Sequence, residues 1–134
     1  MADKVEFELV SPKKILFSDA VDMVVVPGAE GDFGVLPNHA PFISQVRPGV
    51  IAIHGAEDSA QGGIFVAGGF AEVTPERCIV LAEEAVPVSD IDTNAAGERL
   101  TSARAAVESA ETDGARSQAL RDVAIAEAMI AAAS

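Results

Sequence analysis

Tryptophan and tyrosine are absent from this 134-residue chain, and six phenylalanines supply its only such rings. With 49% hydrophobic residues but only 4% aromatic, its core is expected to be mainly aliphatic. Basic residues are scarce too, nine against 21 acids, for a formal charge of -12. Phosphate affinity is carried by clustered lysine and arginine, so this balance argues against a nucleic-acid binder and disfavours direct contact with anionic lipid. It suits a basic protein partner. Cys78 is the single cysteine, which excludes an internal disulfide and makes a reducing compartment the simpler reading. No apolar run nears the roughly 18 residues of a membrane span. No basic segment followed by an apolar stretch precedes Val5, so neither a signal nor a transit peptide is expected. Any association with a membrane is expected to go through partner proteins.

What is present divides into two periods. From Val5 to about Val88 the apolar residues alternate, as in Val5, Phe7, Leu9 and again Val21, Met23, Val25, the period of a half-buried strand. Short apolar segments follow at Phe42 to Val46, Gly49 to Ile53, Gly63 to Ala67, Phe70 to Thr74, Arg77 to Ala82 and Ala85 to Val88. Glycine and proline punctuate them at Pro27-Gly28, Arg47-Pro48-Gly49, Gly68-Gly69 and Thr74-Pro75-Glu76-Arg77. With no segment long enough for a crossover helix, this spacing predicts an antiparallel β-sandwich or flattened barrel of eight to ten strands over residues 1–88, two sheets around one core.

After Ser89 the composition turns to alanine, glutamate and arginine without proline, which raises helix propensity over residues 89–134. Ala96, Leu100, Ala103, Val107 and Ala110 line one helical face, and Ala119, Val123, Ala126 and Ile130 repeat the spacing. Gly114, between the two patterns, is read as the left-handed stop of the first helix, giving a C-terminal two-helix antiparallel hairpin. Its seam is mostly alanine, so it buries little apolar surface and is expected to be weakly held. Arg104 can pair with Glu108 one turn on. The hairpin carries eight acids and four arginines, the β region the remaining excess of acid.

Glycines recur every third residue in Gly28, Gly31 and Gly34, which invites comparison with a phosphate loop. A Walker loop needs Gly-Lys followed by Ser or Thr, and a dinucleotide loop opens a helix that Pro37 and Pro41 here block, so structural turns are expected instead. His39 and His54 are the only histidines and no spacing completes a metal site around them. Cys78 reads as a small buried thiol. Ser44, His39 and Asp32 could be drawn as a triad, but the chain has no Gly-x-Ser-x-Gly elbow. The adjacent carboxylates Glu57-Asp58 and Glu83-Glu84 would point to opposite faces of a strand and read as solvated charge. Neither a catalytic residue nor a cofactor is implied.

The segment Glu30-Gly31-Asp32-Phe33-Gly34-Val35-Leu36-Pro37-Asn38-His39-Ala40-Pro41 resembles the signature loop of ATP synthase epsilon subunits. Arg47-Pro48-Gly49, Gly68-Gly69-Phe70-Ala71-Glu72-Val73 and Val80-Leu81-Ala82-Glu83-Glu84-Ala85 are similar, in order, to three further segments of that family. The resemblance covers essentially the whole chain. It implies a non-catalytic rotor subunit of the central stalk that binds the gamma subunit and the c ring and helps couple proton translocation to ATP synthesis, on the cytoplasmic face of a bacterial inner membrane. It implies c-ring contact through Glu30, Gly31, Asp32, Phe33 and His39, and a sandwich face with exposed aliphatic residues packed on gamma.

The resemblance further implies that the hairpin can act as a brake on hydrolysis by reaching the alpha and beta catalytic subunits. Some members of the family bind ATP through a motif resembling Ile-Asp-x-x-Arg-Ala. Here Ile91, Asp92 and Ala96 remain but Ala95 stands at the arginine position, which removes a cation expected to face phosphate or hold the bound fold. The run from Ala128 to Ser134 carries no charged side chain, so its grip on acidic catalytic subunits is expected to be weak. A nucleotide-sensing module and an acidic sandwich enzyme are the competing readings, distinguished by saturable ATP binding and by turnover without partners.

Overall fold

The computed structural model describes residues 4–55 and 63–134. Among these, ten strands come first: β1 (Val5–Val10), β2 (Ile15–Val21), β3 (Met23–Gly28), β4 (Gly31–Val35), β5 (Phe42–Val46), β6 (Gly49–His54), β7 (Ile64–Val66), β8 (Gly69–Val73), β9 (Arg77–Ala82) and β10 (Ala85–Pro87). A single 3-10 turn at Val88–Asp90 leads to α1 (Thr93–Ser109) and α2 (Asp113–Ala133).

The strands pair in the order β10-β7-β6-β3-β5-β8-β9-β1-β2, with β4 added to β3. Val5, Phe7 and Leu9 of β1 are buried in one cluster with Val24 and Val26 of β3, Ile51 of β6 and Val80 of β9. The path therefore folds over on a single, mainly aliphatic core, as the composition required. The ladders are antiparallel with one exception, β1 against β9, which run parallel with Phe7 opposite Cys78. Parallel neighbours need a long connection. The whole of β2 to β8 supplies it here.

Two sequence expectations shift in register. The alternation of Val21, Met23 and Val25 does not stay in phase, because the chain bends at Asp22, and Val24 and Val26 take the core while Met23 and Val25 are half-buried. The bend is held by the Asp22 N–H donating to the His54 carbonyl and by Lys4 Nζ on its carboxylate at 2.8 Å. The glycine-rich segment is also more than a turn: Gly31–Val35 forms a strand along β3, from Gly28 opposite Gly31 to Val24 opposite Val35. Ala29 and Glu30 make the reversal, and Gly31 at φ 138° takes up the positive backbone angle. At Gly28 a Cβ would meet the Gly31 carbonyl oxygen at 2.7 Å, so close approach of backbones keeps that position glycine.

Asp92 caps α1, its Oδ1 accepting from the Asn94 and Ala95 N–H groups at 3.0 and 3.1 Å. Thr112 caps α2, its hydroxyl accepting from the Ala115 N–H at 3.0 Å. Gly114 thus lies inside the first turn of α2 and does not end α1, which stops where Ala110 turns extended at ψ 131°. The Thr112 cap captures the following residues into helix, and that outweighs the pull of one glycine. Ala96, Ala103, Ala119, Ala126 and Met129 are the buried residues of the pair, so the alanine seam is real. Arg104 reaches across it to Glu127 at 3.4 Å rather than along α1 to Glu108, because the antiparallel partner brings that carboxylate opposite.

A second, smaller cluster joins the hairpin to the sandwich. Phe65 and Ala67 pack with Ala96 and Met129, bordered by Val50, Val86, Ile91 and Ile125.

Candidate functional site

The resemblance residues gather around β4 and the segment after it. Glu30 and Gly31 form the exposed hairpin tip, while Asp32 is paired with Arg47, whose guanidinium also donates to the Gly28 carbonyl at 2.6 Å. The acidic pair is therefore unequal: Arg47 neutralises Asp32, and Glu30 is the acid the tip presents. Phe33 packs on Phe42 with ring centroids 4.9 Å apart and the planes tilted by 58°, and His39 meets the same ring edge-on at 5.8 Å. Phe42 thus ties together Phe33 and His39, six residues apart, yet the sequence pattern marked it only as a strand start. An aromatic residue directly after Pro41, at the end of the motif, was the available signal.

The His39 imidazole is also held by its Nδ1 donating to the Ala40 carbonyl at 2.7 Å, and Asn38, at φ 66°, donates its N–H to the Pro75 carbonyl. Ser44 donates to the Gln45 carbonyl, so Ser44, His39 and Asp32 are each occupied elsewhere and form no triad. Among the described residues no three His, Cys, Asp or Glu side chains gather to hold a metal ion. Burial pushes the Cys78 thiol up to about 12, which keeps it a protonated, unreactive core residue near neutral pH.

A broader surface emerges from strand register. Across β5, β8, β9, β1 and β2, Gln45 faces Phe70, Phe70 faces Leu81, Leu81 faces Val10 and Val10 faces Ile15. The next outward row runs Ile43, Glu72, Ile79, Glu8, Ser18, and beyond it Arg77 lies opposite Glu6. Phe70, Leu81, Ile15 and Ile43 remain 51, 56, 60 and 73% exposed. Cross-strand neighbours on one face form a continuous surface, and a contiguous apolar stripe on a strongly acidic chain marks an interaction site. A depression of about 400 Å³ opens beside the stripe between Val10, Pro12, Phe70, Leu81 and Glu83. Another of about 400 Å³ lies on the far side of Phe70, between Gln45, Arg47, Gly68 and the α2 residues Gln118 and Arg121.

At the root of the hairpin, the residues resembling an ATP motif have structural work. Asp92 is the helix cap, Ala96 is buried and Ile91 packs against the second cluster. Glu83 and Glu84 sit in the bend between β9 and β10, not within a strand, and they part there: Glu83 lines the depressions while Glu84 binds both Arg99 Nη atoms at 2.9 and 3.0 Å. Glu57-Asp58 lies outside the described residues.

Arg99 holds the Glu84 carboxyl below its ordinary value of 4.5 by hydrogen bonding, against a smaller opposing cost of burial. A depressed carboxyl contributes stability above its unfolded pKa, and that contribution is lost as pH falls through the folded one. Glu84→Gln is therefore expected to lower stability at neutral pH by about 0.5–1 kcal/mol, the scale of a half-exposed pair. The difference in melting temperature between native chain and variant should shrink on acidification below about pH 4.5. A difference that widened there would contradict the ion pair.

Comparison with known proteins places this geometry. The ATP synthase delta/epsilon chain beta-sandwich domain matches residues 4–88. The ATP synthase epsilon chain of Paramagnetospirillum magneticum is 54% identical over 98% of both chains. That of Rhodospirillum rubrum is 50% identical over 98% of both, and that of Maricaulis maris 52% identical over 100% of this chain and 99% of its own. Among solved structures, a chain of the Euglena gracilis mitochondrial ATP synthase, in a structure of OSCP, F1 and c-ring, superposes with a TM-score of 0.80 at 25% identity, covering 100% of this chain and 84% of that one. A chain of the Tetrahymena thermophila mitochondrial ATP synthase shares the fold at a TM-score of 0.75 and 12% identity, over 98% of this chain and 97% of that one. With a β-sandwich followed by paired helices, and with relatives alike from end to end, the chain belongs to the ATP synthase epsilon chain family, as a non-catalytic subunit of the rotor stalk.

Proposed function

We propose that this subunit joins the gamma subunit to the c ring of a bacterial ATP synthase, transmitting rotation between proton translocation and nucleotide chemistry carried out on other chains. In this reading residues 1–88 are the docking unit and residues 89–134 a helical appendage that modulates hydrolysis weakly, through the alpha and beta subunits. The complex is held on the cytoplasmic face of the inner membrane by its partners, and no helix among the described residues is long and apolar enough to cross a membrane. The chain itself takes no cofactor.

The outward row Phe70, Leu81, Val10 and Ile15 carries the proposal, as the gamma-binding face. A torque-bearing interface needs an apolar centre with a polar rim. This row has both, bordered by Glu72, Glu8 and Glu6, which suit a basic partner. The Glu30–Phe33 strand start with His39 forms the c-ring contact, supported by an exposed tip whose backbone and rings are held by Arg47 and Phe42. An ATP-sensing role has little support, since Asp92 and Ala96 are engaged as cap and core and Ala95 supplies no cation.

Phe70→Asp together with Leu81→Asp tests the face. Both side chains are half-exposed, so folding is expected to persist, while affinity for purified gamma subunit falls at least about 30-fold, the scale of losing a central apolar anchor. Unchanged affinity with an unchanged melting curve would sink the assignment of this face.

A further inference from the structure

We infer that the outer edge of β2 is a pairing surface for a second copy of this chain, and that Asp19 keeps it closed so that the chain stays monomeric. Among the described residues β2 ends the strand order, with β1 on one side and no strand on the other. An open edge presents unpaired N–H and C=O groups, a template for another extended strand. A two-fold axis lets one such edge serve as both halves of the contact, so a second copy needs no further complementarity than the edge already has.

The hydrogen bonds show which groups face outward. The Glu6 N–H donates to the Glu76 carbonyl at 3.1 Å, toward β9, so the Glu6–Ala20 pair exchanges no bonds between β1 and β2. Ala20 and, two residues earlier, Ser18 therefore turn their backbone groups to the open side. Asp22, next in that series, already spends its N–H on the His54 carbonyl at 2.8 Å. At the other end the register slips: Leu9 faces Phe17 but Val10 faces Ile15, and the extra residue Leu16 breaks the edge. The regular part of the edge is thus Phe17 to Val21, and its centre is Asp19.

Antiparallel pairing of two copies about that centre sets Ser18 against Ala20, Phe17 against Val21, and Asp19 against its own copy. Asp19 lies opposite Phe7 and alternates with Phe17 and Val21, so it stands on the core-facing side of the strand, exposed because β2 is the last strand of its sheet. In the pair two carboxylates would meet there and lose water, a like-charge contact with a desolvation cost. The same carboxylate accepts the Ala20 N–H at 2.8 Å, occupying a donor that the pairing needs. An inward-pointing charge on an edge strand is a recognised guard against edge-to-edge pairing, and Lys13 and Lys14 place further charge just before the strand. Self-pairing would also crowd Ile15, the last member of the outward row, so a closed edge keeps that row open to whichever partner it takes.

Sedimentation velocity and amide exchange on the full chain test this. The native chain is expected to sediment as a monomer. Asp19→Val is expected to self-associate at least about tenfold more tightly, with exchange at Ser18 and Ala20 slowing as concentration rises. Asp19→Lys alone should stay monomeric, because two ammonium groups then meet at the axis. Mixed with native chain it should form a dimer, because the charges there are opposite. A native chain already dimeric through this edge would overturn the inference, as would a folded Asp19→Val chain that associates no more than the native one. A dimer that leaves Ser18 and Ala20 unprotected, or Asp19→Lys associating with itself as tightly as Asp19→Val, would do the same. If Asp19→Val folds poorly the mixture decides, and its failure to pair would count against the guard.

Discussion

Phe65→Ala is expected to loosen the helical hairpin before it unfolds the β core. Phe65 is fully buried and is the only large ring in the cluster that joins the sandwich to the helices. Its buried neighbours there are two alanines, Ala67 and Ala96, and Met129. Truncating a buried phenylalanine costs about 3–5 kcal/mol, a large share of the roughly 5–15 kcal/mol that holds a domain of this size. The main core loses nothing directly, because Phe7, Leu9, Ile51 and Val80 belong to the other cluster. Loss should therefore concentrate where little else holds.

In the native chain amide exchange across residues 96–130 should already be faster than in β1 and β9, since the hairpin seam is four alanines and a methionine. In the variant the gap should widen and the melting temperature drop. Exchange in the native hairpin as slow as in β1 would contradict the weak seam, and a variant whose exchange quickened equally in both regions would contradict the separate roles of the two clusters.

Gly69→Ala should be the most damaging single-methyl change in the sandwich. Gly69 sits at φ 144°, a backbone angle that side chains rarely adopt, and an added Cβ would overlap the Leu81 carbonyl oxygen. That carbonyl is backbone in the β8–β9 ladder, where Gly69 faces Ala82 and Phe70 faces Leu81, so it has no rotamer to move into. Strain and overlap together are expected to cost about 2–4 kcal/mol, more than a substitution at a compatible glycine. Chemical denaturation would measure it. Gly97, where an added Cβ meets nothing within 4 Å, is the control: Gly97→Ala should stabilise α1 by about 0.5–1 kcal/mol. Equal effects at the two sites would refute the account of Gly69.

Local patterns carried much of this fold. Alternation placed β1, β5, β6, β8 and β9, and glycine and proline marked their turns, because both signals act within a few residues. The alanine spacing located the two helices for the same reason. What escaped depended on partners distant in sequence. The parallel pairing of β1 with β9 joins Phe7 to Cys78, and nothing in either segment specifies its neighbour. The strand β4 was hidden because Gly31 and Gly34 interrupt its apolar alternation, although backbone pairing to β3 needs no side chains. Gly114 looked like a helix stop until the Thr112 cap assigned it to α2.

The candidate site divides in the same way. The tip residues and His39 were legible as a motif, but the Arg47 clamp on Asp32 and the Phe42 ring between Phe33 and His39 were not. The exposed row of Phe70, Leu81, Val10 and Ile15 draws on four strands and becomes a surface only once their register is known.

The central claim is that this chain works as a rotor subunit joined to gamma and the c ring. A pull-down of the tagged full chain from membranes of its own source in mild detergent, with every stoichiometric partner identified by mass, tests it most directly. Recovery of gamma, c and the catalytic subunits together is the expected result, with gamma retained longest as detergent is raised. Recovery of the chain alone, from membranes in which the remaining ATP synthase subunits copurify with one another, would contradict it.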